Sequence, residues 1–118
     1  MEFRQMADEI PRADEVTNLT AEEVAAGVLE GRILLVDVRE PNETAVESYP
    51  DAVIVPLSCF DAAAIPDPQG KQVVFACRSG RRSVTASLAA QDNGYPYKAH
   101  LAGGIIAWKA AGLPTRAG

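Results

Sequence analysis

The chain carries only two cysteines and a single histidine in 118 residues. Cys59, Cys77 and His100 lie at spacings that do not make a zinc site, so neither a metal nor a cofactor is expected. There is no excess of positive charge. Eleven basic residues face 16 acidic ones for a net charge of -5, which argues against nucleic acid or an anionic membrane as a general partner. No apolar run approaches the length of a membrane span, and no secretory apolar segment stands out. With cysteine so scarce, free thiols in a reducing compartment are expected, hence a cytoplasmic location. Internal repeats, low-complexity tracts and interdomain linkers are also lacking.

What remains is the composition of one ordinary domain. At 47% hydrophobic residues, a chain of this length buries roughly 65% of the surface its unfolded form exposes, enough to fold without a disulfide. Residues 1–15 are charge-rich with no β pattern. Phe3, Met6 and Ile10 would share one face of a short helix, but a frayed or loosely docked N-terminal extension is the plainer expectation, leaving 16–118 as the domain. Strand-like runs fall at 16–19, 33–38, 52–55, 72–76 and 99–101. Helical segments fall at 21–30, 42–47, 57–64, 81–93 and 104–111. Thr20 and Glu23 form a capping box with Leu19 and Val24 at the staple positions, and Gly31 stops that helix. Alternation of this kind predicts an α/β fold, a parallel sheet with helices on both faces.

One segment concentrates the chemistry: Cys77-Arg78-Ser79-Gly80-Arg81-Arg82-Ser83. The apolar block 73–76 runs into Cys77 as a buried parallel strand does, and from Ser83 the pattern is helical up to Gly94. Cys77 therefore sits in a strand-to-helix turn, where the amides of 78–83 have no carbonyl partners and a tight loop with Gly80 folds them into a nest. A thiolate there gains hydrogen bonds and the positive helix end, and adjacent arginines are expected to lower the thiol pKa further. Arg81 and Arg82 oppose the helix dipole by about 0.3 to 1 kcal/mol each, a penalty that a bound anion reverses. In parallel sheets the working residues collect at the carboxyl ends of the strands. A second such end reads Asp37-Val38-Arg39-Glu40, from which Asp37 is expected to hold an arginine of the loop.

Other residues read more plainly. Cys59 has no arginine cluster beside it and is expected to be an inert buried residue. His100 would have to meet Cys77 across the sheet to act as its base, and a thiolate held by a nest does not need one. Gly103 and Gly104 lack phosphate-loop spacing and point to close backbone approach. Trp108 shares a helix face with Ile105 and reads as core. Arg39 reads as a structural ion-pair partner.

Over about residues 17–114 these pieces resemble the rhodanese-like sulfurtransferases. Asp37-Val38-Arg39-Glu40 is similar to the family's D-V-R-E signature, and 77–82 to its six-residue active loop. Leu101-Ala102-Gly103-Gly104, Trp108 and Gly112-Leu113-Pro114 are similar to its closing pattern. One departure is Ser48-Tyr49-Pro50-Asp51-Ala52, where the family commonly reads H-I-P-G-A. Asp51 would have to adopt left-handed backbone angles there. The resemblance implies a three-layer α/β/α rhodanese-like fold with a central parallel five-stranded sheet. It also implies that the Cys77 thiolate takes sulfur from a small anionic donor such as thiosulfate, releases sulfite, and passes the persulfide sulfur to a thiol, cyanide or protein acceptor. Arg78 and Arg82 would steer the donor while Arg81 faces solvent. Ser79, Gly80 and Ser83 would complete the substrate-binding loop, with Asp37 and Arg39 in support. An arginine directly after the cysteine, with a basic residue late in the loop, is associated in the family with thiosulfate rather than mercaptopyruvate.

Two other readings stay open. A sulfur-relay or binding module would keep the same Cys77 but work with a protein partner. A cysteine phosphatase or arsenate reductase of related fold would use C-x5-R, whereas the sixth position after Cys77 is Ser83.

Overall fold

The two most apolar runs, Ile-Leu-Leu-Val-Asp and Gln-Val-Val-Phe-Ala, become the centre of the sheet because both of their faces are covered. In the computed structural model, which describes residues 16–117, they are β2 (Ile33–Asp37) and β5 (Gln72–Ala76). The reading of 1–15 lies outside the described residues. With β1 (Thr17–Leu19), β4 (Val53–Ile54) and β6 (Ala99–Leu101) they form a five-stranded sheet. Its order is β1-β6-β5-β2-β4 and every pairing is parallel.

The period of two along each strand divides the core into two layers. Leu35, Val74, Ala76 and Leu101 pack with Val24 of α1 (Ala21–Leu29) and with Ile105 and Trp108 of α4 (Gly104–Ala110). Val36, Val38, Val73 and Phe75 pack on the opposite face with Ala86 and Ala90 of α3 (Arg81–Asp92). The expected three-layer architecture is present. Thr20 caps α1 as its sequence requires, accepting from the Glu23 amide at 3.1 Å while the Glu23 carboxylate accepts from the Thr20 amide at 2.8 Å.

Two local expectations change, and a third, at Asp51, holds. The helix expected at 42–47 closes early as α2 (Pro41–Thr44), and Glu47–Ser48 become β3, which pairs antiparallel with β7 (Arg116–Ala117). The helix expected at 57–64 is instead two 3-10 turns, Leu57–Cys59 and Ala62–Ala64. Asp61 separates them, because its carboxylate accepts from the Ala63 amide at 2.9 Å and so begins a new turn. Asp51 takes φ +62°, so the turn survives without the glycine.

Candidate active site

The register of β2 on β5, with Asp37 opposite Ala76, brings both charged strand ends to one level. Cys77 follows β5 directly, and Gly80, at φ +102°, turns the chain into α3. Only glycine adopts that angle freely. The turn aims donors at the sulfur. The Gly80 amide donates to Cys77 Sγ at 3.1 Å, and Ser83 Oγ lies 3.6 Å from it. Cys77 is 1% exposed. Burial pushes its thiol pKa up, but the Ser83 hydroxyl and the amides of Ser83, Gly80 and Ser79 outweigh burial and hold it below the ordinary value. The largest lowering thus comes from the nest and a hydroxyl, as the unpaired amides of the turn imply, with the Arg82 guanidinium interacting with the sulfur by charge as well.

The back of the loop is fixed through its carbonyls. Cys77 O accepts from Tyr49 Oη at 2.7 Å and from the Ile105 amide at 2.9 Å, while Arg78 O accepts from the Ile106 amide at 3.2 Å. Gly103 and Gly104 make the close backbone approach expected of them. A Cβ on Gly104 would stand 2.6 Å from Cys77 O and collide with the Arg78 carbonyl. Tyr49 carries no sequence signal for this role. It is buried, its ring meets Trp108 edge-on at 5.3 Å, and burial pushes its phenol well above the ordinary value.

The charged residues pair differently from expectation. Asp37 does not hold a loop arginine. It is fully buried and binds Arg39 by Nε at 3.0 Å and Nη2 at 2.8 Å, and it also accepts from the Arg39 amide at 3.0 Å. A residue two positions on along an extended chain returns to the same side, so Arg39 fills the carboxylate before any loop residue reaches it. Arg39 Nη2 also donates to Glu47 O at 2.9 Å. Arg39 is thus the structural partner the sequence suggested. Arg82 makes a bidentate pair with Glu43 of α2 at 2.6 and 2.9 Å. The Arg82 hydrogen bonds hold the Glu43 carboxyl down at about 2 against the opposing effect of burial. Arg78, Ser79 and Arg81 are exposed, and among the described residues neither Arg78 nor Arg81 has an ion-pair partner.

Trp108 is core, at 4% exposure. Cys59 is exposed, contrary to the expectation of a buried residue, because the 3-10 turn that replaces a helix leaves it on the outside. His100 is buried and does not touch the sulfur, but its Nδ1 lies 2.8 Å from Ser83 Oγ and its Nε2 lies 2.7 Å from Asn18 Oδ1. Among the described residues no cluster of His, Cys, Asp and Glu could hold a metal ion, and no helix is long and apolar enough to cross a membrane.

Comparison with known proteins places this fold in a family. Residues 20–111 match the Rhodanese-like domain family. A protein of Allochromatium vinosum named sulfurtransferase is 42% identical over 82 residues, which cover 70% of this chain and 77% of that protein. An uncharacterized protein of Synechocystis sp. is 43% identical over 83 residues, again 70% of this chain, but this chain spans only 46% of that protein's length. The crystal structure of a thiosulfate sulfurtransferase from Pseudomonas aeruginosa superposes with a TM-score of 0.73 at 30% identity, covering 91% of this chain and 21% of that one.

Proposed function

Because the chain belongs to the rhodanese-like domain family, we propose that it is a sulfurtransferase that carries sulfane sulfur on Cys77, with thiosulfate as donor. The convergence of backbone amides and the Ser83 hydroxyl on a buried Cys77 Sγ supports this reading most strongly. A thiolate so held attacks the outer sulfur of thiosulfate. A bond forms between Cys77 and that sulfur while the bond to sulfite breaks, and sulfite leaves with the electron pair. An acceptor nucleophile then attacks the terminal sulfur and returns Cys77 as thiolate. Donors already aimed at the anion need no reorganisation at either step. Arg78, exposed and without an ion-pair partner among the described residues, supplies charge for the incoming dianion, and Arg82 adds what Glu43 leaves uncompensated.

Intact-protein mass spectrometry tests the assignment. Thiosulfate should add one sulfur to the wild type and to Cys59→Ser, and none to Cys77→Ser; a loaded Cys77→Ser protein overturns it. Loop length adds a second arm. Six residues from Cys77 to Arg82 make a nest sized for one sulfur, so hydrolysis of an aryl phosphate should be negligible. Efficient hydrolysis without sulfur uptake would put the phosphatase reading in its place.

A relay to a protein acceptor has one observation in its favour. Beside the loop, a groove is lined by Arg39, Glu43, Arg78 and Lys109 together with Val46 and Ile106, which are 74% and 50% exposed. Fast discharge of the Cys77 persulfide to a protein thiol, with poor turnover on cyanide, would select this reading over a small-molecule acceptor.

A further inference from the structure

We propose that Asn18, His100 and Ser83 form a proton wire ending at Cys77, in which His100 takes up the thiol proton through the Ser83 hydroxyl when the thiolate forms. The wire is continuous from the edge strand to the sulfur. Asn18 Oδ1 lies 2.7 Å from His100 Nε2, His100 Nδ1 lies 2.8 Å from Ser83 Oγ, and Ser83 Oγ lies 3.6 Å from Cys77 Sγ. Asn18 Oδ1 can only accept, so Nε2 carries a proton and Nδ1 of the neutral ring accepts from Ser83. The thiol in turn donates to Ser83 Oγ.

Counting protons shows why the ring matters. If the thiol proton were lost to solvent, the thiolate would keep the Gly80 amide, but it and His100 Nδ1 would compete as acceptors for the one Ser83 hydroxyl proton. Transfer along the wire avoids this. The S–H bond breaks as Ser83 Oγ gains that proton, and the Ser83 O–H bond breaks as Nδ1 gains the other. Thiolate and imidazolium result with no change in net charge; Nδ1–H and the Ser83 hydroxyl then donate toward the sulfur while Nε2–H still donates to Asn18. Burial alone holds His100 below the ordinary imidazole value, so the ring is neutral until the thiolate gives it a counter-charge. The remaining groups around the sulfur are occupied or open to solvent. Tyr49 donates to Cys77 O, Asp37 and Arg39 bind each other, Arg82 binds Glu43, Glu40 accepts from Ser58, and Lys109 binds Glu47. Arg78 and Arg81 are exposed. Among the described residues His100 is thus the titratable side chain joined to the sulfur through a single hydroxyl. It acts through Ser83 as a positioning residue, and it returns the proton when Cys77 departs as thiolate from a discharged persulfide.

This inference rests on Cys77 as the sulfur carrier, and its test does not require thiosulfate. The pH dependence of Cys77 alkylation by iodoacetamide is measured in a Cys59→Ser background, because exposed Cys59 would react as well. His100→Asn keeps a polar partner for Ser83 but cannot take a proton, and should move the profile up by about one pH unit, a tenfold loss of thiolate at fixed pH. Asn18→Asp, on an exposed position of the edge strand, places an anion on the imidazolium and should move the profile down. In the double variant the downward shift should vanish. A merely structural histidine does not predict shifts of opposite sign. As a check free of substitution in the wire, the nitrogen-15 resonances of His100 should report a lower imidazole pKa after Cys77 is alkylated. Coincident profiles, shifts of the same sign, or a His100 titration indifferent to alkylation would each overturn the wire, while sulfur loading on Cys77 would stand or fall by mass spectrometry alone.

Discussion

Gly104 and Gly112 both hold positive φ, at +60° and +78°, yet their surroundings separate them. A Cβ on Gly112 meets nothing within 4 Å, whereas one on Gly104 meets the backbone of Cys77 and Arg78. Gly112→Ala should therefore cost only the left-handed backbone strain, about 1 to 2 kcal/mol, and load sulfur normally. Gly104→Ala adds a clash that no side-chain rotation relieves, so it should displace the loop carbonyls and abolish most persulfide formation. Denaturant melts beside mass spectrometry of both proteins check this, and normal loading by Gly104→Ala would show that the loop does not depend on this contact.

α2 is only four residues long, but it presents Glu43 to the first turn of α3. Glu43 accepts from the Glu40 amide at 3.0 Å as well as from Arg82, so this short helix holds a cation at the mouth of the nest in one direction. Removing the charge with Glu43→Gln should leave Arg82 less neutralised. Thiosulfate uptake at low donor concentration should then rise a few-fold, on the order of the roughly 1 kcal/mol at stake in a partly exposed pair, with discharge to cyanide unchanged. Stopped-flow measurement of the two half-reactions separates the effects, and a loss in both would assign Glu43 a structural role. The elements differ in how legible they were. β2, β5 and α3 could be read because continuous apolar blocks and a turn glycine are local signals. β3 and β7 could not, since each is two residues of polar or small character whose pairing exists only in three dimensions. The alanines of 57–64 favour helix, but Asp61 caps a new turn in their midst. The site divides in the same way. Cys77, its loop and the Asp37-to-Glu40 run announce themselves along the chain. The partners that complete them, Tyr49 on Cys77, Glu43 on Arg82 and Asn18 on His100, lie 28, 39 and 82 positions away and have no local signature.

The protein as a body carries net charge -5 around a cluster of arginines, and its acid stability follows from how the carboxylates are held. Glu43 is lowered from 4.5 to about 2, and Glu47, bonded to Thr115 and Lys109, is lowered as well. Folded values below unfolded ones mean that these contributions are complete above about pH 4.5 and are lost as pH falls through about 2. The thermal midpoint should dip as pH falls below about 6.5, where the unfolded chain protonates His100 and the buried ring resists it, and decline further below 4.5. Glu43→Gln should start lower at neutral pH and decline less. After allowance for solvent screening, roughly 1 kcal/mol is expected from Glu43, which for about a hundred residues corresponds to roughly 4 to 8 °C. Parallel acid profiles for the two proteins would remove Glu43 from the account.

The strand order also sets a calendar. β1 touches the sheet only through β6, from which Asn18 and His100 stand 82 positions apart in the chain. β1 therefore waits for β6, a long-range closure of the kind that slows folding. The Cys77 loop takes its rear bonds from Ile105 and Ile106, which follow that strand. A chain still lacking residues 99–106 would hold Cys77 with Tyr49 alone on its carbonyl and without His100. The loop around Cys77 is thus fully braced from behind only once residues 99–106 have joined the sheet.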